Sequence, residues 1–127
     1  MKSFQQILFN WILSEMKKQN WKRSVRTSEL DYDSPHCAYS DPNTGMRCAV
    51  GVCLPKRGDS LYGNFQGDVD DLVVEFNTEL PSFLYRYRYF MQEMQSWHDD
   101  YMTVANLRQI AKQFDLDIPQ DLMPPSR

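Results

Sequence analysis

The sequence predicts an α+β fold: three or four helices packed on a short antiparallel β-hairpin in a single compact domain. Three observations predict it. Residues 3–20 repeat apolar side chains at helical spacing. Residues 37–54 carry alternating and β-branched residues on both sides of a turn signal. From residue 67 onward the apolar period returns to that of helices. The domain is placed at residues 1–116, with residues 117–127 as a C-terminal tail.

The first helix has Ser3 as its cap. Phe4, Ile7, Leu8, Trp11 and Ile12 form its apolar stripe, and Met16 continues it. Lys17 and Lys18 stand in the last turn, where cations favour the helix dipole. The stripe is the expected core face. Phe9 and Leu13 lie off it and are available as a partner surface. Residues 22–35 are polar and irregular, and Ser34-Pro35 disfavours a helix running on.

The hairpin follows. Asp41-Pro42-Asn43-Thr44-Gly45 is turn chemistry, because Pro presets φ and Asn and Gly tolerate left-handed geometry. With a loop at Asp41–Thr44, Ser40 pairs with Gly45, Tyr39 with Met46 and Cys37 with Cys48. The two cysteine Cβ atoms then lie within about 5.5 Å. Ala49 to Leu54 continues as a buried strand or turns into a short helix.

The second half reads as helices. Gly67 to Phe76 opens with acidic residues where the dipole favours them. Pro81 starts another helix, in which Phe83, Tyr87, Phe90, Met94, Trp97 and Tyr101 make a heptad-like seam. A last helix spans roughly 103–115, with Val104, Leu107, Ile110, Ala111 and Phe114 on one face.

At 127 residues, 42% hydrophobic and 24% charged, the chain has the composition of one globular domain with a real core. No apolar run approaches membrane-spanning length and no signal-peptide pattern is present, which predicts a cytoplasmic protein with no membrane partner. Three cysteines, an odd number, argue against a secreted disulfide framework. The net charge of −3 is uneven. Residues 1–58 carry nine Lys/Arg and five Asp/Glu, whereas residues 59–126 carry four and twelve. That balance disfavours a general nucleic-acid binder.

Five groups of residues bear chemistry. Cys37, Cys48, Cys53 and His98, with His36, are enough ligands for zinc. Their spacing is poor for it: neither CxxC nor HxxxH is present, and His36 points away from Cys37 on a strand. A Cys37–Cys48 disulfide is the second possibility, set against two small buried thiols in a reducing compartment. The third is a thiol nucleophile, Cys48, with His98 as base and Asp99 orienting it. The fourth is Tyr85-Arg86-Tyr87-Arg88-Tyr89-Phe90. Wound on a helix, it buries Tyr87 and Phe90 and turns Arg86, Arg88 and Tyr89 outward, a composition common at protein interfaces. The fifth is the acidic set Asp68, Asp70, Asp71 and Glu75, with Asp99 and Asp100, a run of charge that could face a basic protein.

Cys37-x-Tyr39 followed by Gly45-x-Arg47-Cys48-Ala49-Val50-Gly51 resembles a motif of a family of small bacteriophage and bacterial proteins. That motif joins Cys-x-Tyr to Gly-x-Lys/Arg-Cys-Ala-Val/Ile-Gly. Arg23-Ser24, Tyr62 through Gln66-Gly67, and Met94-Gln95-Ser96-Trp97-His98-Asp99 resemble further family segments in the same order, across about residues 4–115. Ser40, Thr44 and Gln66 depart from the pattern. The resemblance implies a fold and a phage or bacterial origin rather than a reaction. It also implies that the cysteine segment and His98-Asp99 share one neighbourhood.

Together these readings predict a non-enzymatic, phage-encoded accessory protein that binds and modulates a host protein, in host takeover or anti-defence. Arg86, Arg88, Tyr89, Asp68, Asp70 and Asp71 are its expected contact residues, and no cofactor is expected. The alternatives are a metal- or thiol-dependent enzyme using Cys37, Cys48 and His98, with zinc as the cofactor its residues suggest, and a minor virion component.

Overall fold

The computed structural model describes residues 3–22, 47–54, 69–75 and 80–125. Five α-helices occur among them: α1 (Phe4–Lys18), α2 (Val69–Glu75), α3 (Ser82–Arg86), α4 (Arg88–Asp99) and α5 (Val104–Gln113). Single 3-10 turns lie at Gly51–Cys53 and Gln120–Leu122.

The described residues contain no strand, which corrects the α+β expectation: they are helices and turns. The half of the predicted hairpin that can be placed, residues 47–54, shows why. Its backbone bonds close on themselves. Val52 N–H donates to Cys48 O at 3.0 Å, Cys53 N–H to Val50 O at 2.9 Å and Leu54 N–H to Gly51 O at 3.1 Å. Arg47 Nη1 then donates to Gly51 O at 3.1 Å and to Leu54 O at 3.0 Å. Groups satisfied locally in this way are not available to a ladder. The other half of the predicted hairpin, His36 and Cys37 included, lies outside the described residues, and so does the proposed Cys37–Cys48 pairing.

Helix α1 starts where Ser3 accepts a bond from Gln6 N–H at 3.1 Å. It ends in left-handed Asn20 (φ 58°) and Trp21 (φ 57°), with Trp21 N–H reaching back to Met16 O at 2.9 Å. This six-to-one bond satisfies a carbonyl that the helix end would otherwise orphan. The same closure recurs after α4, from Met102 N–H to Trp97 O at 2.9 Å, and after α5, from Leu116 N–H to Ala111 O at 2.7 Å.

The face α1 buries differs from the expected stripe. Leu8, Ile12 and Met16 are buried as predicted, but so are Phe9 and Leu13, both without exposed surface. Phe4, Ile7 and Trp11 are instead 42%, 52% and 48% exposed. The buried arc is rotated toward Phe90 of α4, whose ring centroid lies 6.3 Å from that of Phe9.

The core is completed by Cys48, Ala49 and Val50, by Val69 and Leu72 of α2, by Leu84 of α3, and by Phe90, Met91, Met94 and Trp97 of α4. Leu107, Ile110 and Ala111 of α5 close it. The predicted long helix after Pro81 is broken at Tyr87 (φ −107°, ψ 29°), which separates α3 from α4. Of its seam, Phe90, Met94 and Trp97 are buried, Phe83 and Tyr87 are half-buried, and Tyr101 lies outside.

Residues beyond α5 dock on the body. Gln6 brackets the backbone of Asp117, accepting from its N–H at 2.9 Å and donating to its carbonyl at 2.8 Å. Lys17 Nζ donates to Asp121 O at 2.8 Å. Leu116, Ile118 and Leu122 pack against the core. Among the described residues, no helix is long and apolar enough to cross a membrane.

Candidate functional site

Two places gather the chemistry-bearing residues. One is interior, where the Arg47–Leu54 segment meets α1 and α4. Gln19 holds the segment at its start, accepting from Arg47 N–H at 2.7 Å and donating to Arg47 O at 2.8 Å. Gln95 of α4 holds its middle, with Oε1 accepting from Val50 N–H at 3.3 Å. Nε2 of Gln95 donates to Asp99 Oδ1 at 3.0 Å, and His98 Nδ1 meets the same oxygen at 3.0 Å. A carboxylate only accepts, so Nδ1 carries the proton of this contact. One connected network thus runs from the cysteine segment to His98 and Asp99.

The network has the connectivity of a structural clasp. His98 is fully buried and Cys48 exposes no surface. Cys48 Sγ accepts from Gly51 N–H at 3.4 Å, a bond that pins the turn. Cys53 is half-buried, and its thiol faces Ala49 O at 3.9 Å. Burial pushes the Cys53 thiol up to about 12, and the neighbouring Cys48 and Glu15 add to the rise. Such a thiol stays neutral and is a weak nucleophile and ligand. Among the described residues, no group of three or more His, Cys, Asp or Glu side chains is placed to hold a metal ion. Cys37 and His36, the remaining proposed ligands, lie outside them. Gln95 belongs to the segment that resembles the family's, but neither it nor Gln19 carries in the sequence a mark of its partner, 45 or 28 residues away.

The clasp gives a measurable expectation. Gln95→Met keeps the side chain's volume but removes the acceptor for the buried Val50 N–H. Unfolding by urea should show a loss of about 1–3 kcal/mol, the cost of an orphaned buried donor. Gln95→Glu keeps an acceptor for Val50 but sets a buried carboxylate against Asp99 in place of the amide donor, so it should lose at least as much at neutral pH. Equal stability of Gln95→Met and wild type would show that the clasp does not hold the segment.

The second place is the outer surface of α3 and α4. Arg88 Nη1 donates to Tyr85 O at 3.1 Å. Its guanidinium lies 4.5 Å from the Tyr85 ring centroid and 5.1 Å from that of Tyr89. The tyrosines are 60% and 72% exposed. Of the expected outward set, Arg86 and Tyr89 are exposed and Arg88 is partly covered by its neighbours. The acidic set does not assemble as a described site. Asp71 is exposed on α2, Asp70 belongs to the same helix, and Asp68 lies outside the described residues.

A polar cleft of about 290 Å³ separates α4 from α5, lined by Glu93, Asp100, Asn106 and Gln109 among others. Asp100 Oδ2 there accepts from Asn106 Nδ2 at 2.7 Å. Comparison of the chain with protein-family models, curated proteins and solved structures returned no match.

Proposed function

We propose that this is a non-enzymatic binding protein whose contact surface is the Tyr85–Arg88–Tyr89 face of α3 and α4, and that its target is a host protein. The observation that carries the proposal is the exposed stack of Arg88 on two tyrosines. A single exposed aromatic residue needs no explanation. Two tyrosines ordered around a guanidinium are different, because they present rigid amphipathic area that loses little freedom on binding. Tyrosine and arginine are also the residues that dominate interface energetics. The interior site favours the same reading: Gln95 holds the loop to α4, and Cys48 pins the turn within the loop. The resemblance to phage and bacterial proteins supplies the class of target, a bacterial host protein in the cytoplasm.

The test is capture from bacterial lysate by the immobilised protein, run beside the Tyr85→Ala/Tyr89→Ala double variant. Wild type should retain a stoichiometric partner, and the double variant should retain about tenfold less, with an unchanged circular dichroism spectrum. No stoichiometric partner, or equal capture by both, overturns the reading.

A further inference from the structure

Beside this face, α2 and α3 enclose a hollow of about 390 Å³, lined by Val73, Leu80, Pro81, Ser82, Leu84, Tyr85 and Arg86. Its volume falls in the range of small-ligand pockets. Leu84 is fully buried and Val73 nearly so, which makes the floor apolar. Pro81 and half-buried Leu80 make an apolar flank. Ser82, Tyr85 and Arg86 bring the polar groups, and Arg86 brings the only charge among the described lining residues.

The two arginines of this region differ. Arg88 is stacked and hydrogen-bonded. Arg86 is exposed and stands at the hollow with its guanidinium outside the described hydrogen bonds and ion pairs. A planar fork of donors on the rim of an apolar hollow suits a carboxylate carried next to an apolar group.

We propose that the hollow is the anchor pocket of the binding face. Its occupant is an aromatic or branched apolar side chain of a partner protein, flanked by an Asp or Glu that pairs with Arg86. The inference rests on the protein-binding reading and deepens it. Charge complementarity selects the occupant: among the described lining residues Arg86 is the one charged side chain, and its guanidinium favours an acidic segment.

The test is an amide-resolved NMR titration with a blocked peptide of about twelve residues, Gly/Ser-rich around an Asp-Phe-Glu core. Saturable shifts should centre on Val73, Leu80, Leu84 and Arg86. Replacing the peptide's Phe by Ala should weaken binding about tenfold or more. Replacing both acids by Lys should abolish it. Arg86→Gln should weaken it about fivefold, as expected of an exposed charge pair. Ser82→Phe, which fills the hollow from an exposed position, should remove binding while leaving the spectrum of the core unchanged. Absence of saturable shifts at the hollow, indifference to the peptide's Phe, or equal binding by Ser82→Phe overturns the proposal. 3-Phenylpropionate serves as a second probe. Shifts at the hollow with it but not with the peptide mean that the site takes a free carboxylate, which overturns docking. A failed pocket beside a partner still lost in the Tyr85/Tyr89 variant leaves the binding face standing and sinks only this inference.

Discussion

Phe9→Ala should lower the unfolding free energy by about 3–5 kcal/mol, and Leu13→Ala by about 2–5 kcal/mol, whereas Ile7→Ala should cost less than about 1 kcal/mol. Phe9 sits in a chain of rings, 6.3 Å from Phe90, which itself meets Phe114 edge-on at 5.3 Å. Deleting it leaves a cavity between α1 and α4 that close-packed neighbours fill only in part. Ile7 is half exposed and forfeits little by truncation. Urea titration with a constant m-value measures all three. For a domain whose whole stability is about 5–15 kcal/mol, the Phe9 loss is a large share. An order in which Ile7→Ala costs more than Leu13→Ala would mean that α1 buries the stripe its periodicity first suggests.

That comparison isolates what was legible in the sequence. The existence of α1, its Ser3 cap and its basic last turn are local properties and read directly. So is the core face of α5, where Leu107, Ile110 and Ala111 are buried. The rotation of α1 is not local. Leu8, Ile12 and Met16 belong both to the stripe through Phe4, Ile7 and Trp11 and to the one through Phe9 and Leu13. An apolar arc this wide leaves the choice to whatever packs against it.

The Arg47–Leu54 segment takes the second of its two expected forms, a short helical turn rather than a strand. Val50 and Val52 have strand propensity, but that propensity reports fit to a pleated surface. Here the chain satisfies its own carbonyls through a 3-10 turn and the Arg47 side chain. The break at Tyr87 falls where neither proline nor glycine marks it. The docking of Asp117 on Gln6 joins residues 111 positions apart. Of the binding face, helical winding predicts that Arg86, Arg88 and Tyr89 point outward. It carries no hint of the stack with Tyr85 or of the hollow that α2 completes.

At pH 8 the native protein should alkylate at Cys53 about a thousandfold more slowly than the urea-unfolded chain. The factor follows from the thiolate, the reactive form. An unfolded thiol near 9.0 is about one-tenth ionised at that pH, and one near 12 about one part in ten thousand. Iodoacetamide labelling with mass mapping of residues 48–56 reads Cys48 and Cys53 in one peptide. Cys48, without exposed surface, should also be protected. Burial is the leading cause of the Cys53 rise and Cys48 a lesser one. Cys48→Ala should therefore speed Cys53 labelling by less than about tenfold.

The same shift fixes a pH dependence. The folded pKa lies above the unfolded one, so the neutral thiol's contribution is fully present below pH 9 and fades as pH rises toward 12. Wild type should lose stability across that window relative to Cys53→Ala. Native Cys53 labelling at the unfolded rate would instead reveal an accessible, ionisable thiol beside the His98 network and return thiol chemistry to this fold. Slow labelling leaves that chemistry without a nucleophile at Cys48 and Cys53.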